Sequence, residues 1–311
     1  MSTYYTPLEQ EALLHITGPD ALTFLQGQVT CDTRLVDSEH AQLGAYCTPQ
    51  GRLVCDFLLC QLGEEHYAMR LRRDTRGSSA ATFGKYIVFS KAALDPERED
   101  WRLLACWGPD AATSLQEIFG TVPGAALAAQ CGEGFSLIQT DEHGQQFECY
   151  LDSTRYEQTL EQISARMPAT TEARWQALQI QRGWGRVEAA TVGEFIPQML
   201  NYDLTGHISF NKGCYTGQEV VARMHYRGKP KRRMYLVELP SSEPLAAGTA
   251  LYSDSTAQSV GNVVNSASRA GEPALALVVA TAAAAESGLH AGSADEPALT
   301  LAALPYSVTT A

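Results

Sequence analysis

Positions 43–48, 53–62 and 66–71 are short, largely apolar runs separated by Pro49-Gln50-Gly51 and Gly63-Glu64-Glu65, which predicts three strands early in the chain. A helix over 74–83 and a further strand over 86–90 follow. Positions 135–140 and 146–151 read as a hairpin around Glu142-His143-Gly144. The spacing then lengthens: Tyr156, Leu160 and Ile163 share one helix face within 153–167, with Ser153 placed as the N-cap. Positions 171–184 read as another helix with Trp175 and Leu178 on one face, ended by Gly183 and Gly185. From Arg233 the period is two. Short strands at 234–239, 250–253, 259–264, 274–279 and 299–304, separated by Gly, Ser, Pro and Asp, predict a small antiparallel barrel, with 288–297 as a surface loop.

The pattern contains an internal repeat. Leu13-Leu14-His15-Ile16-Thr17-Gly18-Pro19-Asp20-Ala21-Leu22-Thr23-Phe24-Leu25-Gln26 recurs as Leu103-Leu104-Ala105-Cys106-Trp107-Gly108-Pro109-Asp110-Ala111-Ala112-Thr113-Ser114-Leu115-Gln116, identical at nine of fourteen positions. Each copy reads as a strand, a Gly-Pro-Asp turn and an amphipathic helix, since Pro suits a first helical turn and an acid there complements the dipole. Two such halves, with helices segregated to one side of mostly antiparallel sheets, give an α+β duplication.

Composition narrows the class. With 311 residues, 45% hydrophobic and 19% charged, the chain can bury a sizeable core in two or three domains. Positions 1–10 lack a basic segment followed by an apolar run, and the longest apolar stretch, 274–285, is too short and Ala-rich to cross a bilayer. A cytoplasmic protein with no membrane partner is therefore expected. Eight cysteines without a Cys-x-x-Cys argue against a local zinc site, and no metal is expected. The net charge of −12 argues against a general nucleic-acid binder.

Chemistry concentrates in Lys212-Gly213-Cys214-Tyr215-Thr216-Gly217-Gln218-Glu219. Ile208 and Phe210 alternate at strand period before it, and Val220, Val221 and Met224 follow at helical spacing. Gly213 and Gly217 bracket the thiol, as suits a sharp turn or a close approach. Lys212 and a helix start just beyond would both lower the pKa of Cys214.

This octapeptide resembles the signature of the YgfZ family of folate-binding proteins, relatives of the aminomethyltransferase (T-protein) of the glycine cleavage system. The resemblance runs from Phe24-Leu25-Gln26-Gly27-Gln28-Val29-Thr30 to Leu304-Pro305-Tyr306-Ser307. It implies a folate-binding domain at 1–228, made of related αβ subdomains at about 1–95 and 98–170 with 171–228 completing the site, and a β-barrel at 229–311. It further implies tetrahydrofolate or a one-carbon derivative as ligand, with Trp175, Phe195 and Gln198 as pocket residues. Trp175 reads equally well as an ordinary core tryptophan.

Two departures bear on that reading. Similar proteins commonly show Ile-Glu-Ala-Gly where this chain has Ile180-Gln181-Arg182-Gly183. A glutamate accepts from two adjacent pterin donors, whereas Gln181 offers one carbonyl and presents a donor to the other group. The aminomethyltransferases carry an Asp-Asp pair where this chain keeps Asp56 alone, so Asp56 and Cys214 are the catalytic candidates. A solvated strand aspartate fits Asp56 as well, and Asp32 reads as a helix-end or turn residue.

Positions 220–237 hold no acid and six basic residues, Arg223, Arg227, Lys229, Lys231, Arg232 and Arg233. Such a stripe can focus an anion, either RNA phosphate or a folate's glutamate tail, with Arg223 and Arg227 nearest the signature; a solvated linker is the plainer reading. The resemblance implies a folate-binding accessory protein that supports iron–sulfur enzymes or their assembly factors and, through them, tRNA. A folate-dependent aminomethyltransferase or demethylase, and a thiol carrier or RNA-interacting module, remain the alternatives.

Overall fold

The computed structural model describes residues 2–228 and 230–308, so Lys229 of the basic stripe lies outside the described residues. The chain divides into two compact units. One contains the residues up to Ala45, Asp56–Glu172 and Asn211–Tyr215; the other contains Tyr46–Cys55, Ala173–Phe210 and the chain from Thr216 onward.

The first unit carries the repeat. Its first copy supplies β1 (Tyr4–Pro7), β2 (Glu11–Thr17), α1 (Ala21–Gln26), β3 (Gln42–Cys47), β4 (Leu53–Gly63), β5 (His66–Arg72) and α2 (Arg73–Phe83). The second supplies β6 (Ala93–Asp95), β7 (Trp101–Trp107), α3 (Ala111–Phe119), β8 (Ala129–Gly132), β9 (Phe135–Gln139), β10 (Gln146–Asp152) and α4 (Tyr156–Ser164). The Gly-Pro-Asp turns open α1 and α3 as expected. Gly18 and Gly108 have φ of 109° and 128°. A Cβ on Gly18 would lie 2.3 Å from the Lys91 carbonyl oxygen, and one on Gly108 2.5 Å from Thr3 Cα, so only glycine admits the neighbouring backbone. The acids behave in parallel. Asp20 Oδ2 accepts from Lys91 N at 2.8 Å, and Asp110 Oδ2 accepts from Thr3 Oγ1 at 3.5 Å.

Thr3 leads into β1 and Lys91 leads towards β6, and these two strands change places. β1 pairs antiparallel with β7 of the second copy, Tyr4 opposite Trp107. β6 pairs with β2 of the first copy, His15 opposite Asp95. The two sheets accordingly run β3-β4-β5-β2-β6 and β1-β7-β10-β9-β8, each copy lending its first strand to the other's sheet. Period two sorts β10 cleanly. Phe147, Cys149 and Leu151 enter a core with Ala111 and Leu115 of α3 and Ile163 of α4, while Glu148 on the opposite face meets Arg70 of β5.

Two expectations in this unit differ from the structure. Positions 86–90 form no strand; a 3-10 turn spans Ile87–Phe89. Ser153 does not cap α4, which starts at Tyr156; the Asp152 carboxylate, a stronger acceptor one residue earlier, takes the N–H groups of Thr154 and Arg155.

The second unit holds α5 (Glu172–Gln181, from Ala173 on), α6 (Gln218–Arg227) and a closed antiparallel barrel. The barrel strands are β11 (Arg232–Glu238), β12 (Ala250–Ser253), β13 (Thr256–Arg269), β14 (Glu272–Thr281), β15 (Leu289–Ala291) and β16 (Ala298–Ala302), in the order β11-β14-β13-β12-β15-β16. The expected loop at 288–297 contains β15, because His290 turns inward and bonds Asp254 Oδ1 at 3.0 Å and the Glu296 carbonyl at 2.6 Å. The alanine run after β14 forms α7 (Ala282–Ser287), capped by Thr281 Oγ1. The architecture is α+β followed by an antiparallel barrel. Among the described residues no helix is long and apolar enough to cross a membrane.

Candidate functional site

The strand expected ahead of the signature is not formed. Positions 208–217 carry no regular structure, and Phe210 stacks on His225 of α6 with ring centroids 3.7 Å apart, which takes its ring to a helix and away from any ladder. Gly217 meets the expectation for a special backbone: its φ is 83°, and a Cβ there would lie 2.5 Å from the Thr48 carbonyl oxygen. Gly213 does not, having open space around it and no positive φ.

Lys212 is spent on the backbone. Its Nζ donates to the carbonyls of Gln26 at 2.8 Å, Val29 at 2.6 Å and Cys31 at 2.7 Å. An ammonium has three N–H groups, and all three are used. Burial lowers its pKa to about 8, which leaves it a cation at neutral pH. Its charge is held towards the carbonyls of the 26–31 segment, and the helix that follows the signature, α6, begins at Gln218 with Gly217 as its N-cap.

The segment that Lys212 grips is itself braced. Gln26 Oε1 accepts from Thr33 N at 2.8 Å and Thr33 Oγ1 at 2.9 Å, and Gln26 Nε2 donates to Asp32 Oδ1 at 3.0 Å. Asp32 is a turn residue: it caps the 3-10 turn Thr33–Leu35, and its forked bonds from Arg34, at 2.8 and 2.6 Å, bring its pKa down to about 2. One buried cation thus ties the 24–30 stretch to the Cys214 loop. No local sequence signal announced that pairing, because the partners are backbone carbonyls far away in the chain.

Cys214 is exposed, whereas Cys31, Cys47, Cys55, Cys60, Cys106 and Cys149 are buried and Cys131 is partly so. Burial pushes Cys31 and Cys106 up to about 12 and raises Cys47, Cys60 and Cys149 well above the ordinary thiol value. Tyr215 is buried beside the clamp, its ring centroid 5.1 Å from Lys212 Nζ. Asp56, on β4 between the buried Cys55 and Phe57, is only 3% exposed, which removes the reading of a solvated strand acid.

The remaining candidates lie in the second unit. Trp175 on α5 and Phe195 are buried. Gln198, on the 3-10 helix Pro197–Leu200, is buried and donates from Nε2 to the Val221 carbonyl at 2.8 Å, holding the first turn of α6, while its Oε1 has no hydrogen-bond partner among the described residues. Gln181 is exposed at the last position of α5. Gln218 opens α6, and Glu219, Arg223 and Arg227 follow at four-residue spacing on one exposed face. Sequence reasoning missed Asn201, and it placed Arg233 in the anion-focusing stripe although Asp203 already takes its charge. Asn201 adopts φ of 57° and donates to the Met234 carbonyl at 3.0 Å; Arg233 grips Asp203 at 2.7 and 3.0 Å and the Gln198 carbonyl at 2.9 Å. Among the described residues no cluster of His, Cys, Asp and Glu could hold a metal ion.

Residues 8–129 match the GCVT N-terminal domain. The structure is similar to that of the glycine cleavage system aminomethyltransferase T from Bartonella henselae, with a TM-score of 0.78 at 17% identity, covering 98% of this chain and 86% of that one. In sequence the chain is 34% identical over 241 residues to the tRNA-modifying protein YgfZ of Yersinia pestis (strain Pestoides F), covering 78% of this chain and 72% of that protein. It is 35% identical over 242 residues to the protein of the same name from Photorhabdus laumondii subsp. laumondii, with the same coverage. At this identity, over more than two thirds of those relatives' length and with an aminomethyltransferase-like fold, the chain belongs to the YgfZ family.

Proposed function

We propose that this chain binds tetrahydrofolate or a one-carbon derivative and acts as an accessory protein that supports iron–sulfur enzymes, and thereby tRNA modification. The observation that carries the reading is the exposed Cys214 on a loop bolted by Lys212 to the 26–31 carbonyls. A structural cysteine would be buried, as six of the other seven are, and a rigid support is what a presented thiol needs.

The residues fit the ligand's chemistry. Gln198 Oε1 is a buried acceptor without a partner, suited to a pterin N–H. Gln181 offers an exposed amide, and Arg223 and Arg227 present two exposed guanidinium groups, suited to tail carboxylates. Bound folate would supply a one-carbon unit or the means of accepting one; the side chains bind and orient it. The names of the YgfZ relatives support the link to tRNA. The transferase reading draws on the buried Asp56, a single carboxylate where the transferases have two.

Titration of the purified protein with tetrahydrofolate and its one-carbon derivatives by calorimetry, followed by addition of a dihydrolipoyl aminomethyl donor, separates the readings. Binding without methylene transfer is expected. Turnover would make the chain an enzyme, and absence of binding would leave the thiol or RNA module.

A further inference from the structure

One turn of the first unit carries its apolar side chains in solvent. Around the 3-10 turn Ile87–Phe89, Phe89 is 96% exposed, Val88 68% and Tyr86 45%. Single exposed hydrophobics are ordinary on a protein surface; three within four consecutive positions form a patch. The turn is also firmly held. Tyr86 N donates to the carbonyl of Phe83, which is fully buried, and Ser90 N donates to Ile87 O at 2.9 Å. On the other side Lys91 N donates to Asp20 Oδ2, Asp20 N donates to Lys91 O at 3.3 Å, and Gly18 lets that backbone come close. An apolar tip fixed at both ends is pre-organised, so little order remains to be imposed when a partner covers it.

Charge limits what that partner can be. Lys85 and Lys91 flank the tip and are both exposed, on a chain of net charge −12. A polyanion such as RNA, or an anionic bilayer, meets the repulsion of the whole chain over a large area. A protein cleft with a few acids at its rim covers a small area, where Lys85 and Lys91 outnumber the Asp20 carboxylate bonded to Lys91 N, and takes the aromatic side chains at its centre.

We propose that the 86–89 turn docks into another protein, one that offers an apolar cleft rimmed by Asp and Glu. The proposal does not depend on folate binding. To test it, p-benzoylphenylalanine is placed at position 89 of the full chain, and in a control at the exposed position 116, and cells making each form are irradiated. Expected is one dominant protein adduct at position 89, absent from the control, whose cross-linked residues map to an apolar cleft with an acidic rim. Its yield should fall at least tenfold with Lys85→Glu and Lys91→Glu, and the purified partner should bind Phe89→Ser at least tenfold more weakly, with the melting temperature of each variant unchanged. Adducts to RNA, lipid or a second copy of this chain, a yield no higher than the control, or a yield indifferent to charge reversal would overturn the proposal.

Discussion

Arg70 and Glu148 face each other from different sheets of the first unit, the guanidinium Nε and Nη2 lying 2.9 and 2.7 Å from the two carboxylate oxygens. Both side chains are almost wholly buried, and the Tyr150 hydroxyl donates to the same carboxylate. Removing Glu148 leaves the buried guanidinium with the more distant Glu11, 3.5 Å away, as its counter-charge. Glu148→Ala should therefore destabilise the protein by roughly 3–5 kcal/mol, and Glu148→Gln by less. Urea denaturation measures both, and equal midpoints for wild type and Glu148→Ala would show that the pair carries no weight.

Thiol exposure predicts a labelling order. Iodoacetamide on the native protein should modify Cys214 first and Cys131 more slowly, with the six buried cysteines reacting only after unfolding. Peptide mass spectrometry at timed intervals reads the order directly.

The clamp has its own signature. Lys212→Met leaves three carbonyls without their donor and should cost roughly 2–5 kcal/mol in a chemical melt. A loss within experimental error would mean that water serves those carbonyls equally well.

Glu172 gives a pH dependence. Its carboxylate accepts from Glu9 N at 3.0 Å and Gln10 N at 3.2 Å, yet burial, reinforced by Glu11 and opposed by Arg72, raises its pKa from 4.5 to about 7. Between those two values the folded chain keeps a proton that the unfolded chain has released, so this group's contribution to stability falls as pH rises through that window. Glu172→Gln removes the titration, and the variant should gain on wild type from about pH 5 to about pH 8 in paired urea midpoints. A constant difference across the range would assign the dependence to other groups.

If a folate tail reaches α6, Arg223→Ala with Arg227→Ala should weaken polyglutamyl folate on the order of tenfold while changing monoglutamyl folate little. Calorimetry with the two ligands at low and moderate salt compares them; equal losses would place the tail elsewhere.

Much of the fold was legible because local pattern and local structure coincide. The Gly-Pro-Asp turns at Gly18 and Gly108 announced two strand–helix units, and the barrel strands announced themselves by alternation. The exchange of β1 and β6 was not legible, since strands of three or four residues choose partners by contacts far along the chain. Positions 86–90 read as a strand because apolar residues usually mean burial, which Phe89 does not have. At the site, glycines around Cys214 marked the loop. Lys212 drew notice as a cation two residues from the thiol, while its carbonyl partners lie in another stretch altogether.

The exchanged edge strands also govern the order in which the first unit can form. β2 cannot receive its outer neighbour until β6 has been synthesised, and β1 waits for β7. Both ladders close long loops, so their entropic cost falls before any reward from pairing, which slows folding and couples the halves into one cooperative transition. A nascent chain arrested between α2 and β6 exposes the edge of β2, and a chain severed there leaves each fragment with an unpaired sheet margin open to self-association.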